Sequence, residues 1–123
     1  MKRILSNKGV KVGDIFYASW GYDQTNVDFF RVKKLRGKTQ VVLQEVALKL
    51  TEDDAVSSMA SDRRYDPSKF SVLERSFHVK DNEAGAICAV KRDSEDEPPH
   101  MFMKDYLYLT PYKGQRVYES WYA

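Results

Sequence analysis

Two strand-like segments joined by a very short loop constrain the fold of this chain more than any other feature. Residues 28–35 and 39–46 are rich in β-branched and aromatic side chains, which favour strands. The loop between them, residues 36–38, contains Gly37, and glycine readily adopts the positive φ that a tight hairpin requires. We therefore predict an antiparallel hairpin here, preceded by a first strand at residues 15–20.

Both faces of this hairpin carry apolar side chains. Strict alternation divides the side chains of each strand between the two faces. In the first strand, one face carries Phe30 and Val32, and the other carries Phe29, Arg31, Lys33 and Leu35. In the second strand, one face carries Val41 and Leu43, and the other carries Val42 and Val46. Apolar residues on both faces are typical of a strongly curled sheet or small barrel. The predicted fold class is mainly β (α+β), a small curled antiparallel sheet or SH3-like barrel with one short helix near residues 52–61.

That helix is predicted because Thr51 can cap its N-terminus, acidic residues fill its first turn, and apolar residues follow at helical spacing. Residues 70–80 then alternate as a strand. Its inward side chains are predicted to be Leu73, Phe77 and Val79. A turn at residues 81–85 and a short apolar strand at residues 86–91 follow.

The last third of the chain predicts a second hairpin. Residues 101–109 and 116–122 alternate around a turn at residues 110–114, which contains Pro111 and Gly114. The tyrosines expected to alternate on this hairpin are Tyr106, Tyr108, Tyr118 and Tyr122.

Length and composition predict a single domain, residues 1–123, in the cytoplasm. A chain of 123 residues can bury a core without disulfides or metal, and one cysteine excludes an intramolecular disulfide. No segment approaches the about 18 apolar residues of a membrane span, and no signal-peptide pattern is present. We therefore expect no association with membranes.

Side chains suited to catalysis or metal binding are few. His78 and His100 have no Cys or Glu partner at ligand spacing, so no metal site is predicted. Cys88 lies in an apolar segment and is predicted to be a small buried hydrophobe. The acidic loop at residues 93–99 lacks the ligand spacing of a calcium loop, and Gly37-Lys38-Thr39 lacks the upstream glycine of a phosphate loop. No cofactor and no catalytic residue are predicted.

Charge is distributed unevenly along the chain. Residues 1–50 contain ten Lys or Arg against four Asp or Glu, whereas residues 51–123 contain ten against fourteen. The net charge of +2 is small for a dedicated duplex binder, but the basic half permits contact with an anionic partner. The predicted nucleic-acid-binding residues of hairpin 31–38 are Arg31, Lys33, Lys34, Arg36 and Lys38. Such a face can follow a phosphate backbone; alternatively, its lysines keep a solvated edge from pairing with another sheet.

A polar and aromatic run, residues 19–30, separates the first two predicted strands. It reads Ser-Trp-Gly-Tyr-Asp-Gln-Thr-Asn-Val-Asp-Phe-Phe. In a structural interpretation its polar side chains bond nearby backbone and its aromatic rings fill one end of a barrel. In a functional interpretation the run forms a rigid loop that contacts a partner. The residues predicted to contact that partner are Trp20, Tyr22, Asp23, Gln24 and Asn26.

This run resembles a segment shared by a family of small proteins encoded by phages, prophages and conjugative elements, Ser-Trp-Gly-Tyr-Asp-Gln-Thr-Asn-x-Asp-Phe. The likeness extends to the Gly-Lys hairpin at residues 37–38 and to the Ser-x-Tyr-Ala end at residues 120–123, whereas residues 47–105 match nothing in the family pattern. The resemblance implies a mobile-element origin, a setting in which small stand-alone domains act by stoichiometric binding to a host or defence protein.

We therefore expect a non-enzymatic binding module. Nucleic-acid binding through hairpin 31–38 is the alternative. An enzyme is the third possibility, and it requires Asp23, Asp28, His78 and several tyrosines to converge in space.

Overall fold

The computed structural model describes residues 4–21, 26–48, 60–63, 66–94, 97–104, 107–114 and 117–120. In these ranges the chain is mostly β, with almost no helix. Its elements, in chain order, are β1 (Ile4–Leu5), β2 (Ile15–Trp20), β3 (Asn26–Arg36), β4 (Gln40–Leu48), β5 (Ala60–Arg63), a 3₁₀ turn (Pro67–Lys69), β6 (Phe70–Val72), β7 (Ala86–Ala89), β8 (Lys91–Arg92), β9 (Met101–Lys104), β10 (Leu107–Pro111) and β11 (Val117–Ser120).

One antiparallel sheet of seven strands forms the body of the molecule. Its order is β6-β4-β3-β2-β10-β9, and β7 also pairs with β4. Strands β6 and β7 pair with different halves of β4, so the long strand carries two short neighbours on one edge. The sheet curls strongly into a half-barrel, which confirms the predicted small curled antiparallel sheet. Two further pairs, β1 with β8 and β5 with β11, form separate two-stranded sheets.

The predicted first strand and first hairpin are confirmed. Strand β2 occupies the predicted residues, and β3 and β4 pair on either side of Gly37, whose φ is +61°. A β-bulge between Val32 and Lys34 takes Lys33 out of the ladder. Strict alternation therefore holds up to Val32 and is wrong beyond it: Leu35 lies opposite Val41, on the face of Phe30 and not on that of Phe29.

Hydrophobic clusters lie on both faces of the sheet, as the apolar pattern of the hairpin predicted. Phe30 is fully buried in the larger cluster, and the neighbouring Phe29 belongs to the smaller one. Burial of one such side chain contributes about 1.5–3 kcal/mol. The smaller cluster consists of Ile15, Phe29, Val46, Phe70 and Tyr112, and the larger of Val10, Phe16, Ala18, Phe30, Val32, Val41, Leu43, Val79, Cys88, Val90, Met101, Leu107 and Leu109.

The second half of the chain departs from the predictions in three places. Most of the helix predicted for residues 52–61 lies outside the described residues, but Ala60 and Ser61 belong to β5, so the helix prediction is wrong for those two. The strand predicted for residues 70–80 ends at Val72. Residues 73–85 instead form irregular turns, because side chains rather than a neighbouring strand satisfy much of their backbone.

The second predicted hairpin is also wrong. Strand β11 pairs with β5, with Val117 opposite Arg63, and residues 101–109 form a hairpin of their own from β9 and β10. Strand β10 runs into the predicted turn as far as Pro111, where it pairs with β2. Alternation indicates which segments are strands, but tertiary packing selects their partners. The predicted turn at residues 81–85 is confirmed by a hydrogen bond from Gly85 N–H to Asp81 O.

Among the described residues, no helix is long and apolar enough to cross a membrane.

Candidate functional site

The end of the β2–β3 hairpin carries two of the five predicted partner-contact residues. Trp20 and Asn26 lie opposite each other as the last residue pair of the β2–β3 ladder, and Gly21 next to them has a φ of +132°. The other three residues of that prediction, Tyr22, Asp23 and Gln24, lie outside the described residues. Trp20 and Asn26 are both half-buried, so their side chains stand at the border between core and surface.

A single carboxylate holds the Trp20 side chain in place. Asp28 Oδ2 accepts a hydrogen bond from Trp20 Nε1 at 2.6 Å and lies 2.7 Å from His78 Nε2. Because an ionised carboxylate only accepts hydrogen bonds, His78 donates through Nε2–H in this arrangement. Asp28 thus binds two rings from different parts of the chain, one on β2 and one on the irregular segment 73–85.

The His78 ring is enclosed by aromatic side chains. Its side chain is fully buried, its Nδ1 atom is buried as well, and the rings of Trp20, Phe30 and Phe77 lie with centroids 5.3, 6.0 and 5.2 Å away. The structure does bring Asp28 and His78 together, as the enzyme hypothesis required. Their contact is closed, however, and it positions Trp20, whereas a general base must be able to reach the proton that it removes.

Phe77 is the outermost ring of this group. It is 77% exposed and stacks on Trp20 with centroids 6.0 Å apart and ring planes 19° apart. The prediction that Phe77 points inward is wrong, whereas Val79 of the same predicted set is buried. We call the pair formed by Trp20 and Phe77 the aromatic platform.

A tight turn explains why Phe77 points outward. Ser76 Oγ accepts hydrogen bonds from the backbone N–H groups of His78 and Val79, and it donates to Glu45 Oε1 at 2.6 Å. The same carboxylate oxygen accepts from the N–H of Phe77 at 3.1 Å. These bonds replace the alternation of a strand with a turn in which two successive side chains, His78 and Val79, both enter the core.

The side chain of Asn82 attaches this turn to β4. Its Oδ1 accepts from Glu45 N–H at 2.7 Å, and its Nδ2 donates to the carbonyls of Glu45 and Leu73 at 3.0 and 2.7 Å. This buried amide makes the bonds that a neighbouring strand would make. The aromatic platform therefore rests on a segment that is irregular in shape but well bonded to the sheet.

The predicted nucleic-acid-binding hairpin has three of its five cations on one face, an effect of the bulge. Arg31, Lys34 and Arg36 pair with Gln44, Val42 and Gln40, which alternate along β4 and so share a face. Strict alternation would place Lys34 and Arg36 on the other face from Arg31, and the bulge makes that expectation wrong. Lys34, Arg36 and Lys38 are exposed, whereas Arg31 donates to Phe70 O and Lys33 to Glu83 O, each at 2.7 Å.

Cys88 is a buried side chain in the larger core cluster, as predicted. Burial raises its pKa from 9.0 to about 11, because the apolar surroundings disfavour the thiolate. Among the described residues, no group of three or more His, Cys, Asp or Glu side chains could hold a metal ion.

Sequence reasoning missed Phe77 as a surface residue and the role of Asp28 in holding Trp20. No local pattern shows either one. The contact between Asp28 and His78 joins residues 50 apart along the chain, and the direction of Phe77 depends on the turn at Ser76.

Comparisons with protein-family models, with curated proteins and with solved structures found no match.

Proposed function

We propose that this protein is a non-enzymatic binding module of phage or mobile-element origin that acts in the cytoplasm by stoichiometric binding to a host or defence protein. Its contact surface is the aromatic platform together with residues 22–26, which follow Trp20 and Gly21 in the sequence. The observation that carries this proposal is the exposure of Phe77, 77% of whose surface is open to solvent while its ring stacks on Trp20.

Exposed aromatic rings of this kind are favourable contacts for a protein partner. Aromatic residues are enriched among the residues that contribute most to binding, because they bury a large area at a small cost in conformational entropy. Phe77 offers most of its ring, and Trp20 supports it from behind. The polar residues that follow Trp20 in the sequence, Asp23, Gln24 and Asn26, supply the kind of hydrogen-bonding group that commonly surrounds such an apolar centre.

Rigidity adds to the argument. Asp28 fixes the Trp20 indole, and Glu45 fixes the backbone at Phe77. A surface that is already ordered loses little conformational freedom when its partner binds. The buried polar contacts beneath the platform therefore favour a recognition surface over an accidental apolar exposure.

The test is co-purification from the native host with a tagged chain and its variants. Phe77→Ala and Gln24→Ala are expected to lose the partner while keeping a melting temperature close to that of wild type, because Phe77 is largely exposed and Gln24 is a polar residue in a polar run of the sequence. Val12→Ala is the matched control, since Val12 is a large exposed apolar residue away from the platform. Retention of the same partner, at wild-type yield, by both the Phe77 and the Gln24 variant would sink the proposal.

Nucleic-acid binding through hairpin 31–38 is a second candidate, supported by the shared face of Arg31, Lys34 and Arg36. Lys34→Ala and Arg36→Ala test it best, since these side chains are exposed and their loss leaves the bonds to Phe70 O and Glu83 O intact. Binding to DNA or RNA is expected to weaken steeply with salt and to fall in the double variant. No binding to either at low salt removes this candidate.

A further inference from the structure

A cleft of about 460 Å³ opens between the turn at residues 8–11, the beginning of β2, and the segments 97–99 and 111–113. It shares no lining residue with the aromatic platform. Its volume falls within the range of sites for small molecules. The cleft is therefore a separate candidate site, and a ligand bound there is independent of the protein-binding role proposed above.

Positive charge dominates the cleft. Four cationic side chains line it against two carboxylates, and one of the carboxylates, Asp14, already accepts a hydrogen bond from the backbone N–H of Lys11 at 2.9 Å. The cationic residues are Lys8, Lys11, Arg92 and Lys113. This balance favours an anionic ligand.

Arg92 is the central charge of this site. It is only 9% exposed, and its guanidinium donates to three neutral acceptors, the carbonyls of Ser6, Lys8 and Glu97. Among the described residues, no carboxylate lies within ion-pair distance of it. A guanidinium matches the geometry of phosphate oxygens, and a buried charge is stabilised by a nearby opposite charge. An anion in the cleft would lie beside this guanidinium.

The rest of the lining suits a flat apolar group. Pro98, Pro99 and Pro111 form a proline wall that lines both this cleft and a second one, also of about 460 Å³, which reaches Tyr108 and is also lined by Asp93. Tyr108 is 45% exposed, and its ring packs against those of His100 and Phe102 with centroids 5.3 and 4.9 Å away. An aromatic ring at this position can stack on a nucleobase.

We propose that the two adjoining clefts bind a nucleotide, with its phosphate beside Arg92, Lys8 and Lys11 and its base beside Tyr108. The phosphate pairs with the buried guanidinium. The base lies against Tyr108 and the proline wall.

The experiment is a titration of the protein with AMP, inorganic phosphate and adenosine, followed by amide NMR. AMP is expected to shift the amides of Gly9, Lys11 and Thr110 in a saturable way and to bind more tightly than phosphate or adenosine. No saturable shift with millimolar AMP would overturn the proposal, and equal affinity for AMP and phosphate would overturn the assignment of the base.

Charge variants separate this site from general attraction of anions. Lys8→Gln with Lys11→Gln is expected to weaken AMP binding by about tenfold or more, because two phosphate-pairing charges are lost. Lys80→Gln with Lys104→Gln, an equal loss of charge at exposed positions elsewhere, is expected to leave it unchanged. Equal weakening in both double variants would overturn the site. Arg92 is left intact in these tests, since its bonds connect distant parts of the chain.

Tyr108→Ala tests the base position. It is expected to weaken binding of AMP but not of inorganic phosphate, since only AMP has a base to stack. Unchanged affinity for AMP in this variant would overturn the placement of the base.

Discussion

Position 85 lies so close to strand β4 that it has no room for a side chain. Gly85 has a φ of +87°, and a Cβ there would lie 2.6 Å from Val42 Cγ1 and 2.9 Å from Leu43 O. The contact with a carbonyl oxygen of the central strand cannot be relieved by rotating a side chain. Glycine is therefore required at this turn by both conformation and space.

Two glycine substitutions separate the effect of the left-handed conformation from the effect of limited space. Gly85→Ala is expected to lower the free energy of unfolding by about 2–4 kcal/mol, combining a left-handed conformation with a clash against β4. Gly37 also has a positive φ, but a Cβ there would meet no atom within 4 Å, so Gly37→Ala is expected to cost about 1–2 kcal/mol. Urea denaturation measures both, and an equal loss in the two variants would contradict the clash at position 85.

Burial of the Cys88 thiol predicts low reactivity and a dependence on pH. Its raised pKa of about 11, against 9.0 when unfolded, means that the unfolded chain ionises first as pH rises. The stability contributed by this neutral thiol is complete below pH 9.0 and falls between pH 9.0 and about 11. Cys88→Val is expected to show a smaller decline in stability over that range than wild type.

The matching measurement on the native protein is the rate of thiol labelling. Labelling by an alkylating reagent is expected to be slow in buffer and fast in denaturant. Rapid labelling of the folded protein would contradict the burial of the thiol.

Among the elements, the irregular segment 73–85 has the largest effect on the surface of the molecule. It lies across β4 where a further strand could have paired, and it is bonded through the side chains of Ser76 and Asn82. Because side chains make these bonds, Phe77 can point outward while His78 and Val79 enter the core.

Removal of the Asn82 amide tests this account. Asn82→Ala leaves the N–H of Glu45 without its observed acceptor, whereas the C=O of Glu45 still accepts from the N–H of Leu73 at 3.1 Å. A buried group that loses its bond costs about 1–3 kcal/mol. Hydrogen exchange is expected to accelerate at Glu45, Phe77 and Val79. Asn7 bonds the carbonyls of Gly37 and Gln40, so Asn7→Ala is a matched control that is expected to accelerate exchange near the β3–β4 turn instead.

At the scale of the whole molecule, local stability is expected to be highest in the middle of the main sheet and to decrease toward the small two-stranded sheets. Val32, Val41 and Leu43 of the central strands are fully buried, whereas β1 and β8 pair over two residues each and both residues of β1 are exposed. A two-stranded pair has little stability of its own. The native state is therefore expected to open at its small sheets before it opens at β3 and β4.

Native-state hydrogen exchange measures this order directly. The amides of β3 and β4 that bond within the sheet are expected to exchange slowest, and those of β1 and β8 considerably faster. Equal protection in β1 and β4 would contradict a stability gradient of this kind.

The sequence by itself determined the β class, the first strand and the first hairpin, because these depend on neighbours along the chain: strand-forming residues on either side of a glycine turn. It also predicted the burial of Cys88 from its apolar neighbours. Its prediction of a contact surface at residues 20–26 stays a prediction: Trp20 and Asn26 stand at the border of the core, and Phe77 was wrongly assigned to the interior.

Only the tertiary structure decided the pairing of β11 with β5, the bulge at Lys33, the contact of Asp28 with His78 and the outward direction of Phe77. Each of these depends on groups far apart in sequence, or on a choice between partners that alternate equally well. A period of two indicates that a segment is a strand, but the free energy that selects its neighbour, or that replaces the neighbour with the side chains of Ser76 and Asn82, comes from packing in three dimensions.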